Sequence, residues 1–194
     1  MKNLTLLAVT GLLVAGATAA QTPANPPDNP PRPTMAPSPS NAETAARPRP
    51  DRAKGVPYDL AIEAAQSAVA ACAAMPKNYR VTALVTDSVA VPIALVSGDD
   101  AAAITQRIAM GKAQLVVKYN MSSSDAVAKA KTDPAFVAEL AANPLIVAAR
   151  PGGLPIMLGG NLIGTIDVSG TPDGHDDDCA KAGLDKIQGR LKTF

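Results

Sequence analysis

The chain has 194 residues, a formal net charge of +1, no tryptophan and eighteen prolines. This length accommodates one domain of ordinary size together with additional segments. Residues 57–194 carry twelve Lys and Arg and fourteen Asp and Glu, scattered without a cationic cluster, which argues against nucleic acid as a partner.

The N-terminal segment, residues 1–20, has the pattern of a secretory signal peptide. One lysine precedes an apolar run, and Ala17-Thr18-Ala19 offers a cleavage site made of small residues. The run is shorter than the roughly 20 residues that span a bilayer. We therefore expect cleavage, no stable membrane insertion afterwards, and a periplasmic or secreted protein.

A second segment, residues 21–56, is rich in proline and shows no apolar periodicity. This composition cannot form a core and predicts a disordered, partly polyproline II linker. A docking ligand for a proline-recognising partner is the alternative interpretation. The predicted organisation is thus a signal peptide over 1–20, a linker over 21–56 and a folded domain over 57–194.

The domain begins with a predicted helix between Pro57 and Pro76, followed by two strands. The apolar stripe of this helix, at helical spacing, consists of Tyr58, Ile62, Ala65, Val69 and Cys72. Residues 79–86 and 89–96 are rich in β-branched residues, which favours an antiparallel pair of strands. Pro92 cannot donate to a sheet ladder, so we expect the second strand at an edge or with a bulge.

The middle of the domain predicts further helices. Acidic residues after Gly98 open a second helix, whose apolar side consists of Ile104, Ile108 and Leu115. Asp133 is a predicted cap and Pro134 a first helical residue, while Pro144 lies beyond the end, so one or two short helices fit this stretch.

The C-terminal part predicts a hairpin and a closing helix. Gly159-Gly160-Asn161 supplies the positive φ of a tight turn between two strands. The last helix has an apolar face made of Ala180, Leu184, Ile187 and Leu191, with Asp173 or Asp176 as its cap. The order predicts an α+β fold with an antiparallel sheet of about four to five strands, the fifth being an optional strand near residues 145–149. The first and last helices are expected to pack together on one side of this sheet.

Two cysteines, Cys72 and Cys179, lie near the end of the first predicted helix and the start of the last. In an exported protein, paired thiols usually form a bridge. We predict a disulfide that joins these two helices, with a metal or redox site as the alternative.

Six short motifs occur in order along the domain. They are Val85-Thr86-Asp87, Asp99-Asp100-Ala101, Ala109-Met110-Gly111-Lys112-Ala113, Gly152-Gly153-Leu154-Pro155-Ile156, Gly164-Thr165-Ile166-Asp167-Val168-Ser169-Gly170 and Asp176-Asp177-Asp178. Together they resemble the GlcG/HbpS-like family of haem-binding or haem-degrading domains. The resemblance implies a compact α+β domain that forms homo-oligomers and, in some members, binds haem or a related tetrapyrrole. The chain departs from the family pattern at Ser97, in the Ser88-Val89-Ala90 turn, and at Asp167, which stands in place of a glycine.

Several residues are candidates for a ligand site. Lys112 lies in the middle of a helix among small residues, where it could reach an acidic ligand group or an internal carboxylate such as Asp87. Met157 could contact an apolar ligand, as could Met110, with core filling as the alternative for both.

Backbone donors are a further resource for such a site. Gly152-Gly153 and Ser169-Gly170 could present N–H groups to a ligand carboxylate, because glycine allows a ligand to approach closely. Tight turns are the alternative interpretation of both pairs.

The one histidine, His175, precedes a run of carboxylates. Together with Asp176, and with Asp173 or Asp177 nearby, it is the candidate metal site. Axial ligation of haem by His175 and a solvated capping turn are the alternatives. The sequence contains no recognisable nucleophile elbow or Ser-His-Asp arrangement, so we predict no catalytic residue.

These features favour an exported module that binds a small-molecule ligand and associates with copies of itself, with haem as the candidate cofactor. One alternative is a haem-degrading enzyme, or an enzyme or accessory protein of a small hydroxy-acid pathway. A purely structural oligomeric scaffold is the other.

Overall fold

The computed structural model describes residues 53–146 and 149–192. The predicted signal peptide and most of the predicted linker lie outside the described residues. Of the linker only residues 53–56 are described, and there Val56 is buried against the core. Among the described helices, none has the length and apolar character needed to cross a bilayer.

The described residues form five α-helices and four strands, all within one domain. In chain order they are α1 (Tyr58–Ala74), β1 (Thr82–Asp87), β2 (Pro92–Ser97), α2 (Ile104–Tyr119), α3 (Ser123–Ala130), α4 (Pro134–Ala141), β3 (Gly153–Leu158), β4 (Asn161–Ser169) and α5 (Asp176–Ile187). A single 3-10 turn, Gln188–Arg190, follows α5. The predicted α+β fold is confirmed.

The sheet has the strand order β2-β1-β4-β3, and every neighbouring pair is antiparallel. Pro92 lies on the edge strand β2, and the register of β1 shifts between Val85 and Thr86, opposite this proline. Both features of the Pro92 prediction are therefore confirmed. The optional fifth strand is not observed at Leu145, Ile146 or Ala149, and residues 147–148 lie outside the described residues.

The β3–β4 hairpin turns at two glycines with left-handed backbone. Gly159 and Gly160 have φ of 56° and 77°, the sign that a tight two-residue hairpin turn requires at both central positions. Asn161, predicted as part of the turn, is the first residue of β4.

Helices α1 and α5 cover one face of the sheet, and they approach each other closely because their contact residues are small. A Cβ on Gly183 would lie 2.5 Å from the carbonyl oxygen of Ala64 and 3.0 Å from Cβ of Ala68. Four alanines of α1 are fully buried along this contact: Ala61, Ala64, Ala65 and Ala68. Close backbone packing of alanine and glycine thus builds a core in a chain with only two phenylalanines.

The predicted disulfide between α1 and α5 is present. Cys72 and Cys179 are bonded, with their Cα atoms 5.4 Å apart, and both are fully buried.

At the other end of α1 the predicted apolar stripe is wrong at its first residue, because Tyr58 is 70% exposed in the first helical turn.

Helix α2 covers the opposite face of the sheet. Successive residues of a strand point to opposite faces, and Ala83 and Val85 pack with α1 whereas Leu84 packs with Ala109 and Ala113 of α2. The buried side of α2 thus differs from the predicted one. Its members are Thr105, Ala109, Gly111, Lys112, Ala113, Leu115 and Val116.

Ile104 is half exposed, so its predicted place in the core is wrong. The small residues of α2 let the helix lie close to the sheet, and in its first turn the buried Thr105, not Ile104, faces the sheet through a hydrogen bond with Thr82 of β1. The acidic residues before α2 do not cap it either, because the residue at the N-cap position is Ala103.

Helices α3 and α4 form a small second cluster beside α2. Asp133 caps α4 by accepting a hydrogen bond of 2.9 Å from the backbone N–H of Phe136, and Pro134 is the first helical residue. Phe136 packs against Tyr119 at the end of α2 with the ring centroids 4.9 Å apart. The predicted cap and start of α4 are confirmed.

Candidate functional site

A cleft of about 340 Å³ opens at the end of the sheet where β4 ends. The first two turns of α2 form an apolar wall with Ile104 and Ile108, and Pro172 lies on the loop that leads to α5. Arg150 stands at the cleft from the segment before β3. The cleft therefore combines apolar surface with one cationic side chain.

Hydroxyl groups line the polar part of the cleft: Thr105, Ser169 and Thr171. Thr105 is already satisfied, since its Oγ1 lies 2.6 Å from the carbonyl oxygen of Ala102 and 2.7 Å from Oγ1 of Thr82. Thr171 differs, because its Oγ1 is buried and has no hydrogen-bond partner among the residues that the structure describes. A buried hydroxyl without a partner is costly, and a ligand atom at this point would satisfy it.

Lys112 and Asp176 form an ion pair directly behind the cleft. Nζ of Lys112 lies 2.8 Å from Oδ2 of Asp176 and donates to the carbonyl oxygen of Val168, and the lysine is fully buried. The other carboxylate oxygen of Asp176 accepts a 2.9 Å hydrogen bond from the backbone N–H of Thr171. Lys112 therefore fixes, through Asp176, the loop that forms one side of the cleft.

Lys112 thus binds an internal carboxylate, one of the predicted alternatives, but the example given, Asp87, is wrong. Asp87 lies at the far end of β1, where its Oδ1 accepts hydrogen bonds of 2.9 Å from the N–H groups of Val89 and Val91. It stabilises the β1–β2 turn and takes no part in the cleft.

Of the four predicted backbone donors, Ser169 and Gly170 line the cleft. Gly152 and Gly153 lie beside it, but their N–H groups already have protein partners. The N–H of Gly152 donates to Asp177, and that of Gly153 donates to Oγ of Ser123 at 2.8 Å.

Close packing accounts for the glycine at position 152. Its φ is 115°, and a Cβ there would lie 2.4 Å from the carbonyl oxygen of Val168, 2.5 Å from Cβ of Asp176 and 2.7 Å from Nζ of Lys112. Gly152 thus leaves the space in which the Lys112–Asp176 pair lies.

The two candidate methionines are not among the residues that line the cleft. Met157 is half-buried on β3, next to the register shift of the β3–β4 pair. Met110 is 47% exposed on α2.

His175 occupies the N-cap position of α5, so the cap assigned to Asp173 or Asp176 is wrong. Nδ1 of His175 lies 2.8 Å from Oδ2 of Asp178, and its ring faces Tyr79 with the centroids 5.7 Å apart. Asp176, its predicted partner in a metal site, is instead bound to Lys112. Within residues 53–146 and 149–192 there is no group of three or more His, Cys, Asp or Glu side chains that could hold a metal ion.

Asp173 anchors the tip of the same loop. Nζ of Lys77 lies 2.7 Å from its Oδ2, and the hydroxyl of Tyr79 lies 2.5 Å from the same atom. The hydrogen bond from Lys77, followed by that from Tyr79, lowers the pKa of Asp173 from its ordinary value of 3.8 to about 2. The cleft loop is thus held by carboxylates at two points, Asp173 and Asp176.

Asp167 is buried in β4 on the face that α2 covers. Its Oδ2 accepts a hydrogen bond of 2.5 Å from Thr165, while Oδ1 has no partner among the described residues. Burial raises the pKa of Asp167 well above its ordinary value, against the smaller lowering effects of Thr165 and Lys112.

The sequence of the domain matches a known family model along most of its length. The model described as "Haem degrading protein HbpS-like" matches residues 56–185, from the start of α1 to the last turns of α5. The chain belongs to the HbpS-like family. The match contains the cleft, both loop anchors and the disulfide. No curated protein sequence matches this chain significantly.

Solved structures share the fold of this HbpS-like domain. A double mutant of Streptomyces reticuli HbpS is 24% identical, with 80% of this chain and 99% of that chain covered and a TM-score of 0.61. Klebsiella pneumoniae protein ORFY is 20% identical, with coverage of 75% and 99% and a TM-score of 0.63. A structure of a PduOC:heme complex is 19% identical, with coverage of 64% and 89% and a TM-score of 0.58.

Among the cleft residues of this HbpS-like protein that sequence reasoning missed are Ile104, Arg150 and Thr171. Arg150 directly precedes Pro151 and the Gly152-Gly153 pair, so a cation beside a turn is the available signal. No local pattern in the sequence marks Thr171.

Proposed function

We propose that this HbpS-like protein is an exported, homo-oligomeric module that binds a haem or a related tetrapyrrole in the cleft at the end of β4. The observation that carries the proposal is that Arg150 and the half-exposed Ile104 line the same cleft. A tetrapyrrole combines a broad apolar ring with carboxylate side chains, and a site for it needs apolar surface next to a cationic or polar group.

The charge of Arg150 is available for a ligand. None of the ion pairs between residues in 53–146 and 149–192 includes this guanidinium. The carboxylate of Asp176 also lines the cleft, but it is bound to Lys112 and to the N–H of Thr171. An arriving carboxylate would therefore meet Arg150 as its charge partner.

The volume of the cleft limits how a tetrapyrrole would bind. Small-molecule sites commonly enclose about 300 to 1,000 Å³, and this cleft of about 340 Å³ lies near the lower end of that range. A cleft of this size suits one edge of the ring, and the remaining surface would face solvent or a second copy of the chain.

The family match supports a haem-related ligand, because its printed description names haem degradation. One structural relative, PduOC, is a haem complex. The signal-peptide pattern of residues 1–20 and the buried disulfide support export, since disulfides persist in oxidising compartments. Cell fractionation tests export, and light scattering of the purified protein tests self-association.

Haemin titration of the mature protein tests the proposed function. We expect a shifted and intensified Soret band that saturates with a Kd on the order of 1 to 10 µM. Arg150→Gln should weaken binding about tenfold, because a charge-assisted hydrogen bond is lost. Arg107→Gln is the matched control, since Arg107 lies on α2 outside the cleft. No spectral change at about 100 µM protein would sink the proposal.

A further inference from the structure

We infer that the cleft recognises a tetrapyrrole by its carboxylate edge and its apolar face, and not through the metal at the centre of the ring. This inference rests on the proposed function and specifies which part of the ligand the protein reads. It follows from the chemistry of the side chains that line the cleft.

The described lining of the cleft offers haem iron no axial ligand. Axial ligands of haem iron are provided by His, Met, Cys or Tyr side chains. None of the described residues that line the cleft is of these four types. The residues therefore do not fit axial ligation at this site.

The side chains nearest to the cleft that could ligate iron are already bonded within the protein. His175 follows the cleft residue Gly174, but its ring faces Tyr79 and its Nδ1 lies 2.8 Å from Asp178. The Tyr79 hydroxyl is bound to Asp173. Both cysteines are consumed by the buried disulfide.

The cleft instead offers groups that suit a carboxylate and an apolar ring. Arg150 supplies a cation, and Thr171 supplies a buried hydroxyl without a partner in the described part of the chain. Both groups suit a carboxylate, which accepts hydrogen bonds at either oxygen. Ile104 and Ile108 supply apolar surface one helical turn apart on α2, which suits the ring.

For a ligand held in this way, the central metal contributes little to the binding affinity. We expect haemin, zinc protoporphyrin and metal-free protoporphyrin to bind with Kd values within about threefold of one another. The dimethyl ester of protoporphyrin keeps the ring and loses the carboxylate charges, so its affinity should fall at least about tenfold.

The experiment compares these four ligands on the mature protein. The fluorescence emission of metal-free protoporphyrin changes when this ligand binds and gives its affinity directly. The affinities of haemin and zinc protoporphyrin are measured by their displacement of metal-free protoporphyrin. Arg150→Gln and Thr171→Val should weaken all three acids and leave the dimethyl ester unchanged. His175→Ala should change none of the four affinities by more than about twofold.

Two outcomes separate this inference from the function on which it rests. Haemin binding at least tenfold tighter than the metal-free acid, or a loss of haemin affinity alone in His175→Ala, would overturn recognition by the edge. Those results would leave tetrapyrrole binding intact. Absence of binding by all three acids would overturn the proposed function itself, and with it this inference.

Discussion

Lys112 and Asp176 lie 64 positions apart in the chain and form a buried ion pair with 2.8 Å between Nζ and Oδ2. The pair joins the middle of α2 to the first residue of α5. Because Asp176 also accepts from the N–H of Thr171, the pair connects the packing of two helices to the shape of the cleft.

Removing one partner of this pair should be strongly destabilising. Lys112→Met leaves the carboxylate of Asp176 buried without its cation, and breaking a buried pair in this way typically costs about 3 to 5 kcal/mol. Urea unfolding measures the free energy. The double variant Lys112→Met/Asp176→Asn should recover part of the loss, since it removes the buried charge and keeps an oxygen for Thr171.

The control for this prediction is an exposed ion pair whose lysine lies on the same helix, α2. Lys118 lies 3.1 Å from Glu139, with side chains 41% and 53% exposed. Exposed pairs are worth below about 1 kcal/mol, so Lys118→Met should change the unfolding free energy little. Equal costs for the two lysine variants would contradict a structural role for the buried pair.

Gly152→Ala should destabilise the domain more than Gly160→Ala. Both glycines have positive φ, 115° and 77°, which is unfavourable for any L side chain. A Cβ at position 160 meets nothing within 4 Å, so only the backbone cost of about 1 to 2 kcal/mol applies.

At position 152 the added Cβ overlaps the carbonyl of Val168 and the Lys112–Asp176 pair. Overpacking of this kind adds about 1 to 3 kcal/mol to the backbone cost. Thermal unfolding of the two variants side by side measures the difference. A Tm loss no larger in Gly152→Ala than in Gly160→Ala would show that the pair relaxes freely.

Local sequence patterns predicted the elements of this fold and, from the two cysteines, one pairing between distant residues, whereas the ion pair of Lys112 escaped them. Proline and glycine signals placed the β3–β4 turn and the start of α4, because these residues restrict or extend the backbone where they stand. Apolar spacing failed at Ile104, since periodicity shows which residues share a side of a helix and not which side the sheet covers. The partner of Lys112 depends on the packing of α5, which no local pattern encodes.

The disulfide should contribute strongly to stability. It closes a span of 107 positions between α1 and α5, for which the loss of chain entropy in the unfolded state predicts about 4 to 5 kcal/mol. Urea unfolding with and without reductant measures this contribution. The double variant Cys72→Ala/Cys179→Ala should unfold at the same urea concentration as the reduced protein, and adding reductant should not change its midpoint. A wild-type unfolding midpoint that complete reduction leaves unchanged would contradict the prediction.

Asp173 should make stability fall at acid pH. Its folded-state pKa of about 2 lies below the ordinary 3.8, because Lys77 and Tyr79 bind the ionised carboxylate. The unfolded chain therefore takes up this proton first as the pH falls. The stabilisation is present above about pH 4 and is lost as the pH approaches 2. Asp173→Asn should show a shallower decline of Tm from pH 4 to pH 2 than wild type, and parallel curves would exclude this contribution.

The titration of Asp167 should change the stability of the domain with pH in the direction opposite to that of Asp173. Burial raises its folded-state pKa well above the ordinary 3.8, so the unfolded chain loses this proton at a lower pH than the folded domain does. The contribution of Asp167 to stability is then most favourable below about pH 4 and falls as the pH rises toward the raised pKa. Each unit between the two pKa values corresponds to about 1.4 kcal/mol.

Asp167→Asn removes this titration while keeping an oxygen for the hydroxyl of Thr165. When the two proteins are compared from pH 4 to pH 7, the variant should therefore gain Tm relative to wild type as the pH rises. A difference that stays constant over this range would mean that Asp167 ionises alike in the folded and unfolded chain. Asp167 stands where the family pattern has glycine, and its Oδ1 has no partner among the described residues. Burial disfavours the ionised form of this carboxyl, which is why its titration, unlike that of Asp173, opposes folding as the pH rises.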